Sequence, residues 1–218
     1  MRPRFAGGAV DLSPEEIVRL EDDRVVLLDQ RRLPDEEVEV ECGSAEEVAD
    51  AIRTMVVRGA PAIGVAAAYG YALAAANGED LDKAAEVLVS ARPTAVNLPW
   101  AVAQMRQGDG DLAERARDLH RAEVERCRRM GEHAAGLLRE GSTPLTHCNA
   151  GGLATGGYGS ALGAVKAGYE RGLVEHVFVD ETRPLLQGSR LTAWELERAG
   201  IEFAGEPEVF EAHIFETF

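Results

Sequence analysis

Leu145-Thr146-His147-Cys148-Asn149-Ala150-Gly151-Gly152 decides how the chain is read, because an apolar, β-branched run ends there in a thiol, an amide and two glycines. Pro144-Leu145-Thr146 suits a buried strand leaving a helix that stops at Gly141. The glycines continue at Gly156, Gly157, Gly159 and Gly163, and a helix of small residues runs through Ala161, Leu162, Val165 and Ala167. Val177-Phe178-Val179 then reads as a second strand, ending in Asp180-Glu181. A strand, loop, helix, strand unit crosses over right-handedly, which puts both strand ends on one edge of a parallel sheet. Ligands of such sheets bind at that edge. Cys148 and Asp180 are therefore expected to face one crevice.

Composition narrows the partners. With 218 residues and 45% apolar content, the chain can bury one large core or two modest ones, and two unequal domains are expected. A net charge of −15 argues against nucleic acid, since phosphate-backbone binding needs a basic face that releases counterions. Cys42, Cys127 and Cys148 are too few and too scattered for a disulfide framework or a zinc site, which fits a reduced, cytoplasmic protein with no metal. No membrane segment is expected either. The N-terminus lacks an apolar core of signal-peptide length, and the run around Val65 to Ala76 is alanine-rich and too short to span a bilayer.

Outward from the central stretch, the N-terminal part reads as a small antiparallel sheet with helices. Ser13-Pro14-Glu15-Glu16 starts a short helix with proline at its first position. Val25 to Leu28 and the alternating Val38, Val40 and Cys42 are strands of a hairpin-like sheet joined through Leu33-Pro34-Asp35, with Asp29-Gln30 at the turn. Ser44 with Glu47 forms a capping box, and Val48, Ile52, Met55 and Val56 carry an amphipathic helix to about Arg58-Gly59. From Pro61 an apolar, alanine-rich helix runs through Leu73 and is expected to be buried.

The junction Arg58-Gly59-Ala60-Pro61 outlines a phosphate site. A glycine turns the backbone, the next helix presents unpaired N–H groups, and an arginine can grip an oxyanion in two places. Arg92-Pro93-Thr94 repeats the idea, with an arginine just before a helix start. The alternative at each place is a plain helix end with a solvated arginine. From Asp111 to Arg139 a charged segment with an apolar stripe reads as one long linking helix, with Cys127 in the stripe and His120 and His133 solvated or at an interface. A helix from Leu191 to Gly200 follows the Asp180 to Gly188 loop, and Ile201-Glu202-Phe203 could start a third strand.

The fold class is thus α/β, with a mixed sheet and helical domain over 1–110, a linking helix over 111–140 and a partial Rossmann-like parallel sheet over 141–218. Two functional readings compete on residues alone. One is dinucleotide binding, with Asp180 where a ribose-binding acid would fall, although the glycines are out of register for that fingerprint. The other is a phosphosugar enzyme, with Arg58 and Arg92 on the phosphate and Cys148 at the reacting carbon. A buried, inert thiol at a strand end is the plain alternative for Cys148.

Resemblance decides between them. TMVVRGAPAIGVAAAYGYALA from Thr54, RPTAVNL from Arg92, THCNAGGLATGGYGSALG from Thr146 and DETRPLLQGSRLTAWEL from Asp180 closely resemble the S-methyl-5-thioribose-1-phosphate isomerase family, almost collinearly from about Val25 to Gly200. Ribose 1,5-bisphosphate isomerases and the regulatory subunits of a translation-initiation exchange factor share its fold and are the alternatives. The resemblance implies an aldose to ketose isomerase of methionine salvage that converts 5-methylthioribose 1-phosphate to the ribulose isomer. It makes Cys148 catalytic and Arg58, Gly59, Ala60, Arg92 and Gln187 substrate-binding, implies no metal or organic cofactor, and implies a homodimer.

The chain also departs from that pattern. After Gln187 the family carries a Thr-Asp-Asn-Met segment, a Gly-Ala-Asp-Arg strand end with the catalytic aspartate, and an Asn-Lys pair. Here Ile201 is followed by Glu202-Phe203-Ala204-Gly205-Glu206-Pro207, and the chain stops at Phe218. The expectation is a sheet cut short and a chain impaired as an isomerase, or else a non-catalytic subunit. Asp180 and Glu181 do not match the family's catalytic acid.

Overall fold

A computed structural model describes residues 12–107 and 110–204. It divides into two compact units, one made of Ser13–Glu125 with Leu153–Gly157, the other, among the described residues, of Leu12, Arg126–Gly152 and 158–204.

In the first unit, α1 (Pro14–Ile17) leads directly into β1 (Val18–Leu20). Glu16 accepts from the Ser13 N–H at 2.7 Å, the reciprocal half of a capping box at the start of α1. β2 (Val25–Leu28) lies between β1 and β3 (Glu39–Cys42), antiparallel to both, with Val18 opposite Leu27 and Val25 opposite Cys42. All of β2 is buried, whereas β3 alternates, as a central and an edge strand should. The two expected strands are present. β1 is an addition that the sequence hid, because three residues continuing a helix offer no period of their own.

α2 (Ala45–Arg53) is capped by Ser44, whose hydroxyl accepts from the Glu47 N–H at 3.2 Å. It ends earlier than the expected Arg58-Gly59. Met55 takes a left-handed φ of 61°, the Val56 N–H reaches the Ala51 carbonyl at 2.9 Å, and the Met55 N–H reaches that of Ile52 at 3.3 Å. That is a Schellman ending with methionine where glycine is usual, so its ordinary sequence signal is missing.

α3 (Ala60–Ala76) is buried from Ala62 to Ala74 on every side, as its composition requires. α2, α4 (Leu81–Ser90) and α5 (Asn97–Arg106) pack around it. A side-chain carbon at Gly70 would come within 3.1 Å of both Leu88 and Val48, and one at Gly64 within 3.3 Å of the Asn97 carbonyl. The absent side chains let the neighbouring helices close on α3. α6 (Leu112–Ala135), capped by Asp111 through the Ala113 N–H at 2.8 Å, is the expected long helix, shorter at its end than Arg139. The division between the units falls inside it.

The second unit carries a parallel sheet in the order β4 (Leu145–His147), β5 (Val177–Asp180) and β6 (Phe203–Ala204). The short α7 (Gly152–Thr155) and α8 (Ala161–Glu170) link β4 to β5, and a π-helical turn (Gly188–Thr192) running into α9 (Ala193–Arg198) links β5 to β6. The helix expected from Leu191 therefore begins earlier and in a wider form. Leu162, Val165, Val174, Val177, Val179, Leu196 and Ile201 make the core of this unit. Leu145 and Phe178 stand opposite each other in register on the other face and are exposed. Among the described residues, no helix is long and apolar enough to cross a membrane.

Candidate active site

His147 lies opposite Asp180 in the β4–β5 register, so Cys148 is the first residue past the carboxyl end of the sheet, where the sequence placed it. Cys148 has a φ of 58°, and its N–H bonds the Asp180 carbonyl at 3.3 Å. A non-glycine residue in the left-handed region costs about 1 kcal/mol or more, and such residues gather at functional sites. Cys148 is half-buried, whereas Cys42 and Cys127 are fully buried. Burial pushes the Cys42 thiol up to about 11, which makes it inert at neutral pH.

The loop after Cys148 is held by α9 and the turn before it. The Thr192 hydroxyl donates to the Cys148 carbonyl at 2.6 Å. Asn149 Nδ2 donates to Thr192 Oγ1 at 3.2 Å and to Glu195 Oε1 at 2.8 Å, and the Gly152 N–H donates to Glu195 Oε2 at 2.6 Å. Asn149, Thr192 and Glu195 are all buried. A side-chain carbon at Gly151 would sit 2.3 Å from Glu195 Oε1, so this glycine answers a close approach.

The loop after β5 is held by a local carboxylate. Glu181 accepts from the N–H groups of Thr182 at 2.7 Å and of Gly188 and Ser189 at 2.9 Å each. Within it the Thr182 hydroxyl donates to Gln187 Oε1 at 2.6 Å, which leaves the Gln187 amide N–H pair as donors. His147 Nδ1 lies 3.3 Å from Asp180 Oδ2 at the same edge, both partly exposed.

The remaining candidates lie in the other unit. Arg58 is half-buried and precedes Gly59, the N-cap of α3, with φ 100°. A side-chain carbon at Gly59 would meet the Ala154 carbonyl oxygen at 2.3 Å, so the segment that follows Cys148 in the chain packs here against the glycine. Ala60 opens the helix, with Pro61 beside it. Arg92 is placed differently from its expectation. The Ala95 N–H bonds the Arg92 carbonyl at 2.9 Å in a turn, and α5 starts only at Asn97, so Arg92 precedes a turn rather than a helix. Proline and threonine serve that turn as readily as a helix start. Gly64, in the second turn of α3, lies against Asn97, so the two arginine-bearing segments lead into helices that touch near their starts.

Two groups in this unit escaped the sequence. His120 is buried, not solvated: its Nδ1 is 2.9 Å from the Tyr69 hydroxyl and its Nε2 bonds the Gly156 carbonyl. A carbonyl only accepts, so Nε2 carries the proton and Tyr69 donates to Nδ1. Burial holds this imidazole below its ordinary pKa, against the Gly156 carbonyl, and pushes the Tyr69 phenol up to about 12. Gln30 Nε2 likewise reaches the Leu153 carbonyl at 2.8 Å. The paired Gly156-Gly157 was the available signal, since a side-chain carbon at Gly157 would come 2.5 Å from Val124. Thr192 and Glu195 stand in the quoted strings with no role legible there, and Glu181, no match to the catalytic acid, holds the loop after β5 instead. Among the described residues no cluster of His, Cys, Asp or Glu is arranged to hold a metal ion.

The Initiation factor 2 subunit family matches residues 56–204. The methylthioribose-1-phosphate isomerase of Geobacter metallireducens is 50% identical over 201 residues, covering 83% of this chain and 58% of that protein. That of Thermus thermophilus is 56% identical over 178 residues, covering 80% and 53%. Among solved structures, the 5-methylthioribose 1-phosphate isomerase of Pyrococcus horikoshii matches with a TM-score of 0.78 and 36% identity, over 93% of this chain and 62% of that one. Subunit delta of the translation initiation factor eIF-2B from A. fulgidus matches with a TM-score of 0.71 and 43% identity, over 85% and 60%. The chain thus spans little more than half the length of the curated relatives it matches.

Proposed function

The chain belongs to the Initiation factor 2 subunit family, and we propose that within it these residues serve the isomerisation of 5-methylthioribose 1-phosphate to 5-methylthioribulose 1-phosphate. The observation that carries this reading is Cys148, half-buried and held at a positive φ at the carboxyl edge of the parallel sheet. The names of the isomerases it resembles support the substrate. In this reading Arg58 and Arg92 hold the phosphate, with the N–H groups at Gly59 and Ala60 at the positive end of α3. Gln187 donates to a sugar oxygen through its amide N–H groups, its oxygen being engaged by the Thr182 hydroxyl.

The chemistry sets the demands on these groups. Carbon 1 carries a phosphate ester, so the ring opens only when its oxygen is protonated as it leaves. Hydrogen then passes from carbon 2 to carbon 1, as a hydride or as a proton through an enol, while the carbon 2 hydroxyl gives up its proton to become the ketone, and Cys148 stands at that step. No metal or organic cofactor is required. With this reading go a phosphosugar as the small-molecule partner, a cytoplasmic location and a homodimer.

The similarity to an initiation-factor subunit favours a second reading, a non-catalytic subunit of the same fold, to which a strained, half-buried thiol would be superfluous. Calorimetry with 5-methylthioribose 1-phosphate separates the two. Arg58→Ala and Arg92→Ala are each expected to weaken binding by about 1.5 to 3 kcal/mol, the scale of a charge-assisted hydrogen bond. Absence of binding by the unaltered chain, or unchanged affinity in both variants, removes the phosphate assignment.

A further inference from the structure

The bonds around Cys148 have a fixed direction. A carbonyl cannot donate, so the Thr192 hydroxyl gives its hydrogen to Cys148, at 2.6 Å, and its oxygen can only accept from Asn149. Asn149 must therefore turn its NH2 toward both Thr192 and Glu195. The Gly152 N–H is a donor as well, so both oxygens of Glu195 have to accept. A carboxylate meets that demand. A glutamine of the same shape would set its NH2 against another N–H.

We propose that Glu195 is the positioning residue for Cys148: it ends a directional chain, through Asn149 and Thr192, that holds the thiol-bearing residue in its left-handed conformation. The inference rests on Cys148 being the reacting group of the isomerase proposed above, but it concerns the polarity of the loop and is read without turnover. Thr192 ends the π-helical turn Gly188–Thr192 and Glu195 stands in the first turn of α9, and such π-helical turns recur at functional sites.

Two pairs of variants set polarity against shape. E195Q and T192V preserve volume and break the direction of the bonds. E195D and T192S keep the direction and leave a small void. A role in packing alone makes the second pair the worse, since voids cost and isosteres are tolerated. The readout is the rate of alkylation of Cys148 by iodoacetamide between about pH 6 and pH 10, a window that brackets the ordinary thiol range. Each site is followed by mass spectrometry, with the buried Cys42 and Cys127 reporting on the rest of the fold.

E195Q and T192V are expected to raise the Cys148 rate about tenfold, the opening of a loop that has lost one hydrogen bond. E195D and T192S should run closer to the unaltered protein, with Cys42 and Cys127 unlabelled throughout. The reverse order, four coincident profiles, or labelling of Cys42 and Cys127 alongside Cys148 would each overturn the assignment. Because alkylation needs no substrate, failure of the isomerase reading would show instead as absent phosphosugar binding with this pattern intact.

Discussion

Residues 148–152 and Leu153–Gly157 adjoin in the chain, yet the first stretch is held by a carboxylate and the second by a neutral imidazole. In the unit with the parallel sheet Glu195 accepts from Asn149 and Gly152, and Thr192 bonds the carbonyl of Cys148. In the unit with the antiparallel sheet His120 bonds Gly156, Gln30 bonds Leu153, and Gly59 abuts Ala154. The first arrangement leaves a strained thiol half-exposed. The second buries the His120 and Gln30 side chains that it uses. One fixes the conformation of a residue fit for chemistry, and the other fastens the segment that follows it, so the two should respond differently to mutation and pH.

The largest effect is expected at Gly59. Alanine there meets the Ala154 carbonyl at 2.3 Å and must also take a φ of 100°, which together cost about 3 kcal/mol or more. Urea denaturation of Gly59→Ala measures it; a loss below about 1 kcal/mol would mean that the segment yields easily. Tyr69→Phe comes next. It leaves His120 Nδ1 as a buried acceptor without its donor, worth about 1 to 3 kcal/mol by the same measurement.

The smallest effect is a slope. Burial keeps the pKa of His120 low in the folded protein, so below about pH 6.5 the unfolded chain takes up a proton that the folded one refuses. The stability that neutral His120 contributes is complete above that pH and is lost as pH falls toward the folded value. His120→Gln, which can still donate and accept, should flatten the fall in denaturation midpoint across that window relative to the unaltered chain. Parallel curves would show that His120 does not titrate there.

What was legible in the sequence had a local cause. Thr146 to Gly152 announced a strand end with a thiol, Ser44 with Glu47 announced a cap, and the alanine-rich run from Pro61 through Leu73 read as a buried helix, which it is from Ala62 to Ala74. α2 was drawn too long because Met55 occupies the left-handed position that glycine normally marks. Arg92 was set against a helix because a proline-threonine turn and a helix start look alike in sequence. The fastening of residues 148–157 left no trace of any period, since Gln30, His120, Thr192 and Glu195 are remote from it in the chain and meet it only in the fold. A histidine on a charged helix reads as solvated until the carbonyl it serves is known.

If Cys148 belongs to the proposed phosphosugar site, a bound phosphosugar shields it from alkylation. Cys148 would be alkylated with and without 5-methylthioribose 1-phosphate, at a concentration that calorimetry on the same sample shows to be saturating. Bound phosphosugar is expected to slow the reaction at Cys148 about tenfold or more, as exclusion of reagent from an occupied site requires. An unchanged rate with the sugar demonstrably bound would contradict it and separate the thiol from the phosphate.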